Sequence, residues 1–140
     1  MGAIEMNPAS IDFKDYLLTY SALSSAEIDF VLGTNLFVGL LPDMSSGICT
    51  CLFESAGITP EPNDIRQPSV QILTRGIAGG YINAYSEIET ICNLFHELTN
   101  ETINSTRYIQ IRKIGDIAHV GNDGKGRPIF SCTLSAMRTE

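Results

Sequence analysis

The chain has 140 residues, 44% of them hydrophobic and 18% charged, with a formal net charge of −7. That balance excludes intrinsic disorder and fits one domain able to bury its own core. No apolar run approaches the ~20 residues of a membrane-spanning helix, and the first residues lack the pattern of a secretion signal, so a soluble, unprocessed chain is expected. A pI near 4.7 argues against gripping nucleic-acid phosphates.

Residues 1–8 read as an N-terminal extension, and residues 9–140 as a single domain. Ser10 precedes Phe13, Tyr16, Leu17, Tyr20 and Leu23, whose spacings of three and four predict an amphipathic helix. Ser10 is placed to cap it, with Asp12 and Asp15 near its positive end, and Ser24-Ser25 to end it. Two short apolar runs follow, Leu36–Leu41 and Ile48–Glu54, and the turn-rich break between them suggests a hairpin. Gly57–Pro68 contains Pro60, Pro62 and Pro68, a composition expected to resist both helix and ladder. Val70–Arg75 then reads as a strand.

After Gly79-Gly80 comes the strongest periodicity of the chain. Tyr81, Ala84, Ile88, Ile91, Phe95 and Leu98 mark one face of a helix of about five turns, with Asn100 at its C-terminal cap. Thr102–Ile103, a turn at Asn104-Ser105 and a strand over Arg107–Ile114 come next. Gly121–Gly126 is a turn by composition. Pro128–Met137 closes the chain as a strand that turns Phe130, Cys132, Leu134 and Ala136 to one face. The order α-β-β-β-α-β-β-β has no regular β-α alternation. It predicts an α+β fold: a mainly antiparallel sheet with two helices packed on one face, in one compact domain.

Charge is divided unevenly along the chain. Residues 1–64 hold nine acids against Lys14 alone, whereas residues 65–140 hold eight bases and seven acids. Either an acidic solvated face or complementary contact between copies accounts for such a split. Cys49 and Cys51 share one strand face, while Cys92 and Cys132 fall in a helix and another strand. Without a secretion signal, all are expected as buried free thiols. The sequons at Asn100 and Asn104 are read as chance for the same reason.

Motifs that carry chemistry are incomplete. His96-Glu97 does not open a zinc H-E-x-x-H motif, because Asn100 stands in the fourth position and His119 lies in another element. Gly121–Gly126 lacks the order of a phosphate loop, and the ligand spacing of an EF-hand is missing. No serine sits in a nucleophile elbow. We therefore expect no enzyme, with no catalytic residue, cofactor or metal ligand, and a domain used for binding or assembly.

Local phrases carry a more specific signal. Leu32-Gly33-Thr34-Asn35-Leu36-Phe37-Val38-Gly39 followed by Pro42-Asp43 resembles the opening of phage minor capsid proteins of the tail terminator class. Arg66-Gln67-Pro68-Ser69-Val70-Gln71-Ile72, with Arg75-Gly76 after it, resembles that family's central strand. The segment from Gly121 to Ser131 is similar to its Gly-x-Asp-x-x-Gly-Arg-Pro-x-Phe-Ser turn and strand, although Arg commonly follows the glycine where Asn122 stands here. The resemblance spans roughly residues 9–138.

The resemblance implies a structural virion protein of a long-tailed phage, made in the host cytoplasm and located in the tail or neck. Copies form a ring, usually a hexamer, that caps the head-proximal end of the tail tube, stops its polymerisation and docks on the head connector. Partners are then the protein itself, the tail tube protein and connector or neck proteins. DNA passes through the lumen without specific binding, and no membrane is involved. The alternatives are a related neck protein at another stacking position and, from a different class, a small-molecule-binding α+β domain. Ile58, Glu61, Asp64, Ile65 and Arg66 are the candidate assembly-loop residues. Asp123, Lys125 and Arg127 are the candidate contacts of the last turn.

Overall fold

The computed structural model describes residues 7–23, 28–43, 47–58 and 65–139. Its elements are α1 (Ala9–Ser21), β1 (Leu36–Val38), β2 (Cys49–Ile58), β3 (Ile65–Arg75), α2 (Tyr81–Phe95), β4 (Leu98–Ile103), β5 (Thr106–Asn122) and β6 (Pro128–Thr139). They follow the predicted order. Six strands form one curled sheet in the order β1-β2-β3-β6-β5-β4. The strand latest in the chain thus lies between β3 and β5, antiparallel to both.

Burial in β6 follows the pleat residue by residue, with every second position from Pro128 to Arg138 buried. Phe130, Cys132, Leu134 and Ala136 make one wall of the core as the alternation predicts. In α2, Ala84, Ile88, Ile91, Cys92 and Phe95 are buried and face β6, β3 and β5. Phe13 and Leu17 bury α1 beside β2, and the Phe13 ring stacks on Phe95 at 4.7 Å between centroids. That stack joins the two helices through the middle of the core.

Five expectations are corrected. The first two apolar runs do not make a hairpin, because β1 lies parallel to β2, and the sheet is therefore mixed. The parallel arrangement requires the chain to travel back along β1 before β2 begins. Asp43, within that connection, is held by Arg127, 84 positions away in the chain.

The second concerns Gly57–Pro68, half of which belongs to strands. β2 runs on to Ile58 and β3 starts at Ile65. Pro68 is tolerated because it falls where the β2–β3 register slips, between the Ile58–Gln67 and Ser55–Ser69 pairs. Residues 59–64 lie outside the described residues.

The third is the cap of α1, where Pro8 takes the position before the helix and Ser10 is buried inside it. Ser10 instead donates both its N–H and its hydroxyl to Glu54 of β2. Ser24-Ser25 lies outside the described residues, and α1 ends at Ser21. Fourth, α2 stops at Phe95 rather than near Asn100. Glu97 turns into the left-handed region at φ 65° and Asn100 sits in β4. Fifth, Cys92 and Cys132 are joined sulfur to sulfur where the buried face of α2 crosses β6. Cys49 and Cys51 remain buried thiols, and burial pushes the Cys51 thiol up to about 11.

Candidate assembly surface

The turn between β5 and β6 is organised by one carboxylate. Asp123 Oδ1 accepts the N–H groups of Lys125 at 2.9 Å and Arg127 at 3.0 Å, a geometry that only a short acceptor side chain allows. Gly126, at φ 73°, supplies the left-handed residue that the turn needs. Arg127 is buried, and its Nε donates to Asp123 Oδ2 at 2.7 Å. Its other nitrogens reach Asp43 across the structure, to Oδ1 at 2.8 Å and to the carbonyl at 3.1 Å. Lys125 Nζ adds a contact to Asp43 Oδ2 at 3.1 Å.

All three turn residues singled out in the sequence therefore meet, and they meet a fourth, Asp43. Hydrogen bonds and charge from Lys125 and then Arg127 hold the Asp43 carboxyl below its ordinary value. At Asp123 desolvation pushes upward, but the donors from Arg127 and Lys125 outweigh it and the carboxyl is also lowered. Two acids and two bases balance within this cluster. It latches the β1–β2 connection to the β5–β6 turn.

The candidate loop residues divide. Ile58 ends β2 opposite Gln67, while Ile65 and Arg66 open β3 opposite Thr139 and Arg138. Glu61 and Asp64 lie outside the described residues. At this end of the sheet a cavity of about 390 Å³ is lined by Gln67, Gln110, Arg112, Ser135 and Met137. No group of three His, Cys, Asp or Glu side chains comes together as a metal cage among the described residues.

Sequence reasoning missed a buried polar network that ties α1 to the sheet. Asp12 Oδ2 accepts the Tyr108 hydroxyl at 2.6 Å, and Oδ1 accepts Asn104 Nδ2 at 2.9 Å. Arg138 NH1 donates to the Tyr108 oxygen at 3.1 Å and to the Asn7 carbonyl at 2.8 Å, and lies 3.6 Å from Asp12. Desolvation, followed by the bond to Asp12, raises the Tyr108 phenol. A signal was present in the sequence: Arg138 continues the alternation of Phe130 to Ala136, and Asp12 adjoins Phe13 on the apolar stripe.

Six curled strands, two helices and polar clusters that join one element to another define a small sheet-built structural subunit. The chain belongs to the family of bacteriophage tail terminator proteins, whose model matches residues 22–139. The match begins just beyond α1 and includes the whole sheet. No curated protein sequence matches the chain. One solved structure resembles it in fold alone, with a TM-score of 0.52 and 12% identity over 94% of this chain and 92% of the other. The protein is thus a structural component of a phage tail that works among other tail and head proteins.

Proposed function

We propose that copies of this chain form a closed ring, taken as a hexamer, on the head-proximal end of the tail tube. The ring stops tube polymerisation and presents the surface on which the head connector docks. Its role is structural, without catalysis, in a virion subunit made in the host cytoplasm. Membership of the tail terminator family over residues 22–139 carries this reading.

Charge supports it. The acids concentrated in residues 1–64 repel phosphate where they line a passage, so DNA can move through without sticking. The segment that joins β2 to β3 carries Glu61 and Asp64 in its sequence, and Arg66 follows at the start of β3, a set of charges suited to contact with a neighbouring copy or the lumen.

The test is to add purified protein to polymerising tail tubes and image the ends by negative-stain electron microscopy. Tubes should stop growing and carry a ring at one end. Unchanged growth with bare ends overturns the proposal.

A further inference from the structure

Two slips in register shape the cavity beside Gln67. Tyr108 and Ile111 are both buried in the core although they stand three positions apart, which regular alternation does not allow. β5 accommodates them with one extra residue between the Tyr108–Arg138 and Gln110–Met137 pairs. The slip turns Gln110 and Arg112 to the face away from the core. A second slip, between Ile114 and Ala118, bends β5 again, and Ile114 and Gly115 form a wall of the cavity there. Gln67 of β3 and Ser135 and Met137 of β6 complete a space of about 390 Å³. Lys113 belongs to the other face, opposite Leu134, where its Nζ lies 3.7 Å from Asp116.

The polar side chains outside the core fall into two groups. Ser55 donates to Ser69, Ser69 to the Leu134 carbonyl and Gln71 to Ser131, so these satisfy one another. The side chains of Gln67, Gln110, Arg112 and Ser135 make no hydrogen bond or ion pair among the described residues. The first two and Ser135 are half-buried, and Arg112 is exposed. No acidic side chain lines the cavity among the described residues. Four convergent polar groups without partners, around a space the size of a small-ligand pocket, make a binding site.

The chemistry of the lining names what fits. The charge on this face of the cavity is a guanidinium, whose planar fork matches a carboxylate through two parallel hydrogen bonds. A free diacid or a phosphate needs donors alone. Each Gln amide adds an acceptor to its donors, the same two functions that a peptide group presents. Met137 and Ile114 supply apolar contact, the thioether with an adaptable shape.

We propose that this cavity binds an extended peptide segment bearing an acidic side chain, with its carboxylate on Arg112 and its backbone on Gln67 and Gln110. The occupant is an acidic segment of a neighbouring tail or head protein. The contact does not depend on closure of a ring.

An array of acetylated pentapeptides with Glu, Asp or Gln at the centre and varied flanks, probed with the full chain, tests this. Acid-centred peptides should bind, and their Gln counterparts should bind about tenfold more weakly by fluorescence anisotropy. Arg112→Gln should abolish that preference with an unchanged melting temperature. Gln110→Met should weaken both kinds of peptide alike, because it removes a contact to the backbone. Should the first variant lose its fold, Arg112→Lys, which keeps the charge without the fork, carries the same test. No binding, equal binding of acid and Gln peptides, or a preference that survives Arg112→Gln overturns the proposal. Glutarate or inorganic phosphate that displaces the peptide at equal concentration defines a site for free anions and overturns it as well. Overlapping pentapeptides from residues 1–64 stand on the same array, and binding confined to those replaces the outside partner by a second copy.

Discussion

At the scale of single residues, the carboxylate of Asp12 carries an unusual share of the tertiary structure. It is fully buried and links α1 to Tyr108 of β5 and to Asn104 in the turn before it, with Arg138 of β6 close by. A buried acceptor that loses a donor pays the desolvation of the group left behind. Tyr108→Phe removes one hydroxyl and little volume, so packing is spared. It should destabilise the protein by about 1–3 kcal/mol, read from urea unfolding. A change below a few tenths of a kcal/mol would show that the hydroxyl is dispensable. This network was hard to foresee because its members are spread along the chain, Asp12 and Tyr108 being 96 positions apart. Read locally, Asp12 is only a favourable charge in a first helical turn.

Among the elements, the β1–β2 connection depends most on charge. Within it Asp43 meets Arg127 and Lys125. Asp43 and Asp123 are both lowered from 3.8, so their contribution is present above that value and is lost as pH falls through their lower folded values. Stability should therefore hold from neutral pH down to about 4.5 and decline in more acid solution. Asp43→Asn should flatten part of that decline in melting temperature against pH. An identical acid limb in the variant would assign the effect to other groups.

The same connection shows why strand direction was not legible. A three-residue strand such as β1 has no period to read, and the anchor that turns its connection back lies 84 positions away. Longer elements spoke more clearly. The β6 alternation places its buried residues correctly, and the α2 stripe does so from Ala84 to Phe95, though Tyr81 is exposed and Leu98 belongs to β4, because many side chains repeat one geometry. β2 and β3 read too short, since Pro68 looks like a breaker until its bulge is seen. Of the candidate site, the turn residues Asp123, Lys125 and Arg127 were legible from local chemistry. Asp43 was not, as its place in the cluster arises from contact between distant segments.

For the whole molecule, the position of β6 decides whether there is one sheet or two fragments. β1, β2 and β3 join β5 and β4 only through it. A chain ending at Arg127 retains both helices and five of the six strands, yet loses the wall formed by Phe130, Cys132, Leu134 and Ala136. It should show no cooperative unfolding transition by circular dichroism or calorimetry. A truncated chain that melts sharply would mean that the remaining strands close without β6.

That placement also sets an order of events during synthesis. Every other strand leaves the ribosome before the one that unites them, so the sheet cannot be completed until β6 emerges. The long-range pairings of β6 with β3 and β5 then form late and together. Until that moment no row of side chains connects β1 to β5. A chain that stops short of β6 therefore lacks the strand that makes its two sets of strands one surface, whatever that surface meets.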